Sequence, residues 1–547
     1  MTYLTTLLVS IVITIVIMPY SKALAVKLQA MDKPNHRKIH KGIMPKCGGI
    51  AMAVGASVPI MLWAPKTNFM NALLLGALII VIFGVADDMK DLAPNLKLLG
   101  QVMAAVVVTL VGGVQIADLG NLVAEGIRMP IWVAIPLTIF VIVGVTNATN
   151  LSDGLDGLAG GMSLMILLCI GYLGLSQNDW VTTMIAIAVG GSVLGFLRFN
   201  SYPAQLFMGD AGSQLLGFVA AVLLIKLSQQ SSDISATLPL VILGVPVLDT
   251  LTVMFKRMIQ GRSPFSADRN HFHHQLMKIG LFHTESVLTI YLVQAVLILF
   301  AILYRSANDW LIISFYFAFS ISVLLIFHLF NKTEYRINRD GFINSIKLQL
   351  SPLKDRGQVI KYSFGIVKIG VPTLLMFNII YQLPGNANYF ILSIIILIFL
   401  LVAWSTNNDV LNKISKIALY LFTPFIILNC DQELTASISI FLNMVYNLFY
   451  FILLLAVFVT MKFTRRANGF KSSTLDFLVI FIIILIPNLP AENIKGHLLG
   501  LVAVKTVIIY YSYEVLVGEL RKRPSVMCSI SIALVLVIAK GLFTILK

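Results

Sequence analysis

Residues 131–161 read IWVAIPLTIFVIVGVTNATNLSDGLDGLAGG. The first charge after Ile131 is Asp153, so a helix starting at Ile131 has about 20 uncharged residues, the length that crosses a bilayer's hydrocarbon. The run then ends in Asn147, Asn150, Asp153 and Asp156, interleaved with Gly154, Gly157, Gly160 and Gly161. One asparagine or aspartate would cap the next helix. Four such residues exceed what a cap needs, and polar groups at a span's end are costly unless they are used.

The rest of the chain explains the setting. Its 547 residues are 58% hydrophobic and 12% charged, with mean hydropathy +0.90, against about a quarter charged in soluble domains. Apolar windows begin near Leu4, Gly49, Met70, Leu98, Ile131, Leu158, Val181, Gly212, Leu238, Ser286 and Leu311, which predicts about 11 spans before residue 330. Further windows near Ser363, Tyr389, Ile414, Ile438, Leu475, Leu498 and Ser525 predict about 7 more. The expected fold is all-α, a polytopic transmembrane helical bundle. Its expected organisation is a membrane domain over 1–330, a cytoplasmic connector over 331–362 carrying Pro352 and Gly357, and a C-terminal transmembrane extension over 363–547 with no assignable role.

Lysine and arginine set the orientation, because short cytoplasmic loops retain them. With the N-terminus outside, the odd-numbered spans exit into SKALAVKLQAMDKPNHRKIHK, DDMKDLAPNLK, FKRMIQGR and NKTEYRINR, whereas WAPKTN, SQND and YRSAND face the other way. The net charge of +15 therefore reads as orientation and attraction to anionic lipid or phosphate; no basic stripe with exposed aromatics suggests nucleic acid. The N-terminal run lacks a positive n-region, so signal cleavage is not expected. Cys47, Cys169, Cys430 and Cys528 are scattered without C-x-x-C spacing, which excludes a zinc or disulfide framework.

Four polar clusters fall on the inner side. Asp87, Asp88 and Asp91 end the third span, with Lys97 beyond; if the helix continues, Asp91 shares a face with Asp87 and Asp88. An ordinary solvated helix end is the plain alternative. The second cluster is the opening stretch. The third, FMGDAGS, places Asp210 at a helix N-terminus, where it complements the dipole or holds a hard cation such as Mg²⁺, with Phe207 beside it as a core ring or a base-stacking one. The fourth, KRMIQGRSPFSADRNHFHHQLMKIG, carries Arg262, Arg269, His271, His273 and His274, and reads as a phosphate-binding or proton-handling loop in the absence of nearby cysteine. Lys41 lies in a first-loop counterpart, close to Lys46. Asp249, seven residues before Lys256 and on nearly the same face, is expected to extend the site inward. Carboxylates, cations and glycine backbone at a membrane surface are equipment for phosphoryl transfer.

In the motifs DDMKD, NATNLSDGLDGLAGG, FMGDAGS and SPFSADRNHFHH, in that order, residues 1–330 resemble the polyprenyl-phosphate N-acetylhexosamine-1-phosphate transferases. The H-F-H-H form and Asp91 resemble the branch using UDP-N-acetylglucosamine more than that using UDP-muramoyl-pentapeptide. The resemblance implies transfer of sugar 1-phosphate from UDP-N-acetylglucosamine to undecaprenyl phosphate in the bacterial inner membrane, releasing UMP and starting an envelope polysaccharide, with Mg²⁺ as cofactor and Mn²⁺ as its substitute. It implies Asp210 as a metal ligand together with Asp87 and Asp88, and Asp87 as the base toward the lipid phosphate. Asn147, Asn150, Asp153 and Asp156 would line the nucleotide-sugar pocket and Phe207 would stack on uracil. Lys41, Lys97, Arg262, Arg269 and the histidines would hold phosphates. Beyond residue 330 the chain departs from the family, leaving room for partners such as later glycan-assembly enzymes, and a homodimer is compatible. A transporter or a scaffold is the competing class, but transport would put polar groups near the bilayer midplane in repeated halves.

Overall fold

The computed structural model describes residues 2–32, 43–123, 127–231, 233–263, 270–333, 358–381, 440–463 and 496–520, with short pieces between 423 and 431 and at 478. The chain forms two compact units, Met1–Ile337 with Ser473–Leu478, and Asn338–Ser472 with Val479–Lys547.

In the first unit α1 (Thr2–Lys27) leads through the two-residue strands β1 (Met31–Asp32) and β2 (Met44–Pro45) to α2 (Gly48–Trp63), α3 (Asn68–Lys90) and α4 (Pro94–Leu110). There follow α5 (Ile131–Leu151), α6 (Leu158–Ser176), α7 (Trp180–Asn200), α8 (Gly209–Gln230), α9 (Leu238–Ile242), α10 (Gly244–Ile259), α11 (Phe272–Lys278), α12 (His283–Leu303) and α13 (Asp309–Lys332). Ten helices among the described residues are long and apolar enough to span, and α2 and α4 are shorter apolar helices. The chain is an all-α polytopic membrane bundle. In such a bundle the backbone must satisfy its own hydrogen bonds.

The core lies around α8. Within their apolar windows 83%, 78% and 89% of α6, α7 and α8 are buried, against 22% of α1 and 17% of α13. Helix α8 packs against α2, α3, α5 and α6, and small residues allow the approach: a Cβ on Gly49 would meet the backbone of Ala211 and Gly212, and one on Gly84 the backbone of Ala211. These contacts fix the inner ends of α2 and α3 against the first turn of α8.

The ninth expected span is broken between α9 and α10. The Ile242 carbonyl freed by the break finds a donor on another helix, Gln294 Nε2 at 2.8 Å, and the Tyr316 hydroxyl adds a bond to Gly244 O at 3.0 Å. Helix α10 is one-sided, with Leu251, Phe255, Met258 and Ile259 exposed and Asp249, Val253 and Arg257 buried.

In the second unit α14 (Gln358–Tyr381), α15 (Ile440–Phe463) and α16 (Gly496–Leu520) pack through residues such as Val371, Leu453 and Ile509. Helices α13 and α14 take up both ends of the expected connector, and residues 334–357 lie outside the described residues, as do the expected spans near Tyr389 and Ser525. A buried ion pair, Lys505 Nζ to Asp431 Oδ1 at 2.7 Å, sits beside Tyr446, whose ring centroid is 4.2 Å from the ammonium. Cys47, Cys169 and Cys430 are free and buried.

Candidate active site

Asp87 and Asp88 occupy the last turn of α3, which stops at Lys90 because Asp91 turns left-handed, at φ 47°. Asp91 is thereby sent to solvent. This corrects the expectation that it shares a helix face with Asp87 and Asp88, which required the helix to continue.

The two adjacent carboxylates then diverge. Asp87 Oδ1 accepts the Leu92 N–H at 2.7 Å, and its Oδ2 lies 2.5 Å from Lys97 Nζ on α4. Asp88 reaches to the start of α8, where it accepts the backbone N–H groups of Asp210 at 3.0 Å and Ala211 at 3.3 Å. Those donors have no partner within their own helix, and a negative charge there complements the dipole. Gly209, at φ 71°, leaves the space that the Asp88 carboxyl fills.

Lys46 lies 3.5 Å from Asp88 and 4.0 Å from Asp32. It is placed by main-chain bonds: the Phe207 N–H donates to Pro45 O at 2.9 Å, and the Cys47 and Gly48 N–H groups donate to Phe207 O. Burial works against its charge, but Asp88, Asp210, Asp32 and Asp91 outweigh burial and hold the ammonium above the ordinary lysine range. Lys97 is also 3.6 Å from Asp210 Oδ2, so one ammonium serves both Asp87 and Asp210. Asn150 Nδ2 reaches Asp210 Oδ2 at 3.4 Å, with its own Oδ1 taken by Ser213 Oγ at 2.5 Å.

The opening stretch supplies the bridge to a second cluster. Asp153 keeps one side on solvent, but the protein enclosing it, followed by Asp210 and Asp156 within electrostatic range, pushes its carboxyl up to about 7. Gly154 lies under the His273 ring, in the space a Cβ would need. Asp156 is tied elsewhere: its Oδ2 accepts the Ala204 N–H at 3.0 Å, and its N–H donates to His283 Nε2 at 3.1 Å. Gly157 is clamped by Asn200 Oδ1 at 2.9 Å and by the Tyr291 hydroxyl on its carbonyl at 2.6 Å.

Asp249 does not extend the acidic cluster. It accepts from Phe272 N at 2.8 Å and lies 2.9 Å from His271 Nδ1, while Lys256 turns to Asn270 Oδ1 at 3.3 Å. The shared helix face of Asp249 and Lys256 was real, but a loop 22 residues on supplied the closer partner. The rings of His271 and His273 stack at 5.9 Å, and His274 follows at 4.2 Å from His273. Burial, then His274, His271 and His283, pushes His273 down to about 3, so this imidazole is neutral near pH 7.

The structure thus gathers Asp87, Asp88, Lys97, Asn150 and Asp210 in one cluster and Asp249 with the three histidines in another, with Asp153 between them. Arg262 is exposed, Phe207 is half-buried, and Lys41 and Arg269 lie outside the described residues. Lys46, which lies close to Lys41 in the sequence, stands in the acidic cluster beside Asp88. Gln101 and Gln214, both buried, were missed. Their signal was spacing: Gln101 lies one helical turn after Lys97, and Gln214 one turn after Asp210.

A family model described as Glycosyl transferase family 4 matches residues 70–228. The chain is 38% identical over 323 residues to the Bacillus subtilis protein named "Probable undecaprenyl-phosphate N-acetylglucosaminyl 1-phosphate transferase", covering 58% of this chain and 88% of that one. It is 31% identical over 321 residues to the decaprenyl-phosphate N-acetylglucosaminephosphotransferase of Mycolicibacterium smegmatis, covering 52% of this chain and 78% of that one. With the undecaprenyl-phosphate alpha-N-acetylglucosaminyl 1-phosphate transferase of Escherichia coli K12 the identity is 28% over 342 residues, 60% of this chain and 91% of that one.

Proposed function

The chain belongs to glycosyl transferase family 4, and on that premise we propose that it transfers N-acetylglucosamine 1-phosphate from UDP-N-acetylglucosamine to undecaprenyl phosphate. Its relatives' names support the acceptor and the sugar. The observation that carries the reading is the meeting of Asp87, Asp88 and Asp210 with Lys46 and Lys97 where the ends of α3, α4 and α8 converge. A diphosphate needs cations, and two lysines already stand between the carboxylates. We place this face in the cytoplasm, where a soluble nucleotide-sugar meets a lipid phosphate, in the bacterial inner membrane.

In the reaction an oxygen of the acceptor phosphate attacks the donor phosphorus that bears the sugar, a new P–O bond forms, the bridge between the two donor phosphorus atoms breaks, and UMP leaves. Positioning and charge neutralisation supply most of the acceleration in such transfers. Lys97 and Lys46 take the diphosphate oxygens. As Lys97 turns to phosphate, Asp87 Oδ2 loses its 2.5 Å partner and is left to accept the acceptor's remaining proton. Asp88 stays as the cap that fixes Asp210.

Among the described residues no three His, Cys, Asp or Glu side chains converge as a metal cage. Asp87 and Asp210 nonetheless share the single Lys97 ammonium, and two neighbouring carboxylates call for a further cation. Mg²⁺ needs only one or two carboxylates beside substrate phosphates, so this pair fits it, with charge neutralisation of the diphosphate as the chemistry it would supply.

The test is turnover by the purified protein with undecaprenyl phosphate and Mg²⁺, offered each donor separately. We expect UMP from UDP-N-acetylglucosamine and none from UDP-muramoyl-pentapeptide; release from the peptide donor alone, or from neither, overturns the reading.

A further inference from the structure

Two glutamines buried among membrane helices are expensive unless their amides are paired, and Gln101 and Gln214 are each no more than 3% exposed. Their pairing has a direction. Asn147 Nδ2 donates to the Val143 carbonyl at 3.0 Å, a group that can only accept, so the amide end of Asn147 is settled. The same nitrogen donates to Gln101 Oε1 at 2.6 Å, which settles Gln101 in turn. Gln101 Nε2 then donates to Asn147 Oδ1 at 3.2 Å and to Gln214 Oε1 at 3.0 Å. With its oxygen so engaged, Gln214 turns its Nε2 to Asp210 Oδ2, at 3.4 Å. Reversing either glutamine would set donor against donor or acceptor against acceptor.

We propose that Gln101 and Gln214 are positioning residues for Asp210, a directed amide chain running from α5 through α4 to α8 that aims a donor at one oxygen of its carboxylate. The chain presents a fixed dipole to Asp210, which costs no reorganisation when the diphosphate arrives. Gln101 acts through Gln214 and touches neither Asp210 nor substrate. The inference rests on the proposed transferase reading for its kinetic consequence, but its geometric content does not.

Two measurements on the full chain separate the two. The first is the infrared carboxylate band that Asp210→Asn removes. We expect it to shift in Gln214→Leu and also in Gln101→Leu, whether or not the protein turns over UDP-N-acetylglucosamine. The second is a double-mutant cycle in the assay above. Each single variant should lose about tenfold or more in kcat with KM for the nucleotide-sugar changed less than about twofold, and the double variant should be no worse than the poorer single one. An Asp210 band unmoved by Gln101→Leu overturns the proposal, as do additive losses or losses confined to KM. Band shifts in both leucine variants, with no turnover by the wild-type protein, would sink the transferase reading and leave the positioning role standing.

Discussion

Asp210 is the residue on which the acidic cluster converges, meeting Lys97 and Asn150 while Asp88 holds its backbone N–H. Asp210→Asn removes a charge without changing volume, and the cap from Asp88 is to main chain, so the fold should survive. We expect turnover to fall more than a hundredfold; retention of over about a tenth of the wild-type rate, a barrier change under ~1.4 kcal/mol, would mean that the carboxylate is not central. His273 makes a different prediction, on stability. Its folded value is pushed down to about 3, whereas an unfolded histidine titrates near about 6.5. Between those values the unfolded chain binds a proton that the folded chain refuses, so stability rises with pH across the window and is progressively lost as pH falls from 6.5 toward 3. The melting temperature of wild type relative to His273→Gln should therefore decline between pH 7 and pH 4.5, and a constant difference would show that the ring is not held neutral. Residue types were legible in the sequence, because carboxylates at span ends have few cheap explanations. Partners were not: a single left-handed residue removed Asp91, and Asp249 met its histidine through a loop whose path no periodicity encodes.

At the scale of elements, the site depends on how closely α2 and α3 approach α8. Gly49 is one of the two tightest points, with Gly84, since a Cβ there would meet the Gly212 nitrogen and the Ala211 carbonyl carbon, main-chain atoms of a buried helix that cannot rotate away. Overpacking of this kind typically costs about 1–3 kcal/mol. Gly49→Ala should lower the melting temperature and also reduce kcat, because pushing α8 from α2 shifts Asp210 relative to Lys46 and Asp88. A variant that melts lower but keeps full activity would show that the first turn of α8 is held by Asp88 alone. The helices themselves were readable from hydropathy, since each span must be apolar along its length. The break between α9 and α10 was not, because the groups that make it tolerable, Gln294 and Tyr316, belong to α12 and α13. Local sequence records the apolar run; only the assembled bundle supplies a donor to its interrupted Ile242 carbonyl.

At the scale of the whole molecule, every residue placed at the candidate site belongs to the unit Met1–Ile337 with Ser473–Leu478, and the second unit has its own core and its own buried ion pair. A protein ending at residue 339 would retain α1 to α13 and the basic residues Lys332, Arg336 and Arg339 at its last exit, which keep that end on the side that retains cations. Only residues 473–478 would be lost from the first unit, and with them the buried side chain of Leu478, worth about 1.5–3 kcal/mol of apolar burial at most. The truncated protein should therefore melt at a lower temperature than the full chain, yet release UMP in detergent within about fivefold of its rate, because the carboxylates and lysines of the cluster all precede residue 339. Activity in cells is a weaker criterion than turnover in detergent. The decisive comparison is binding against turnover: a truncated protein that is folded and binds UDP-N-acetylglucosamine as the full chain does, but cannot use undecaprenyl phosphate, would show that helices beyond residue 339 complete the acceptor's path and that catalysis is not confined to the first unit.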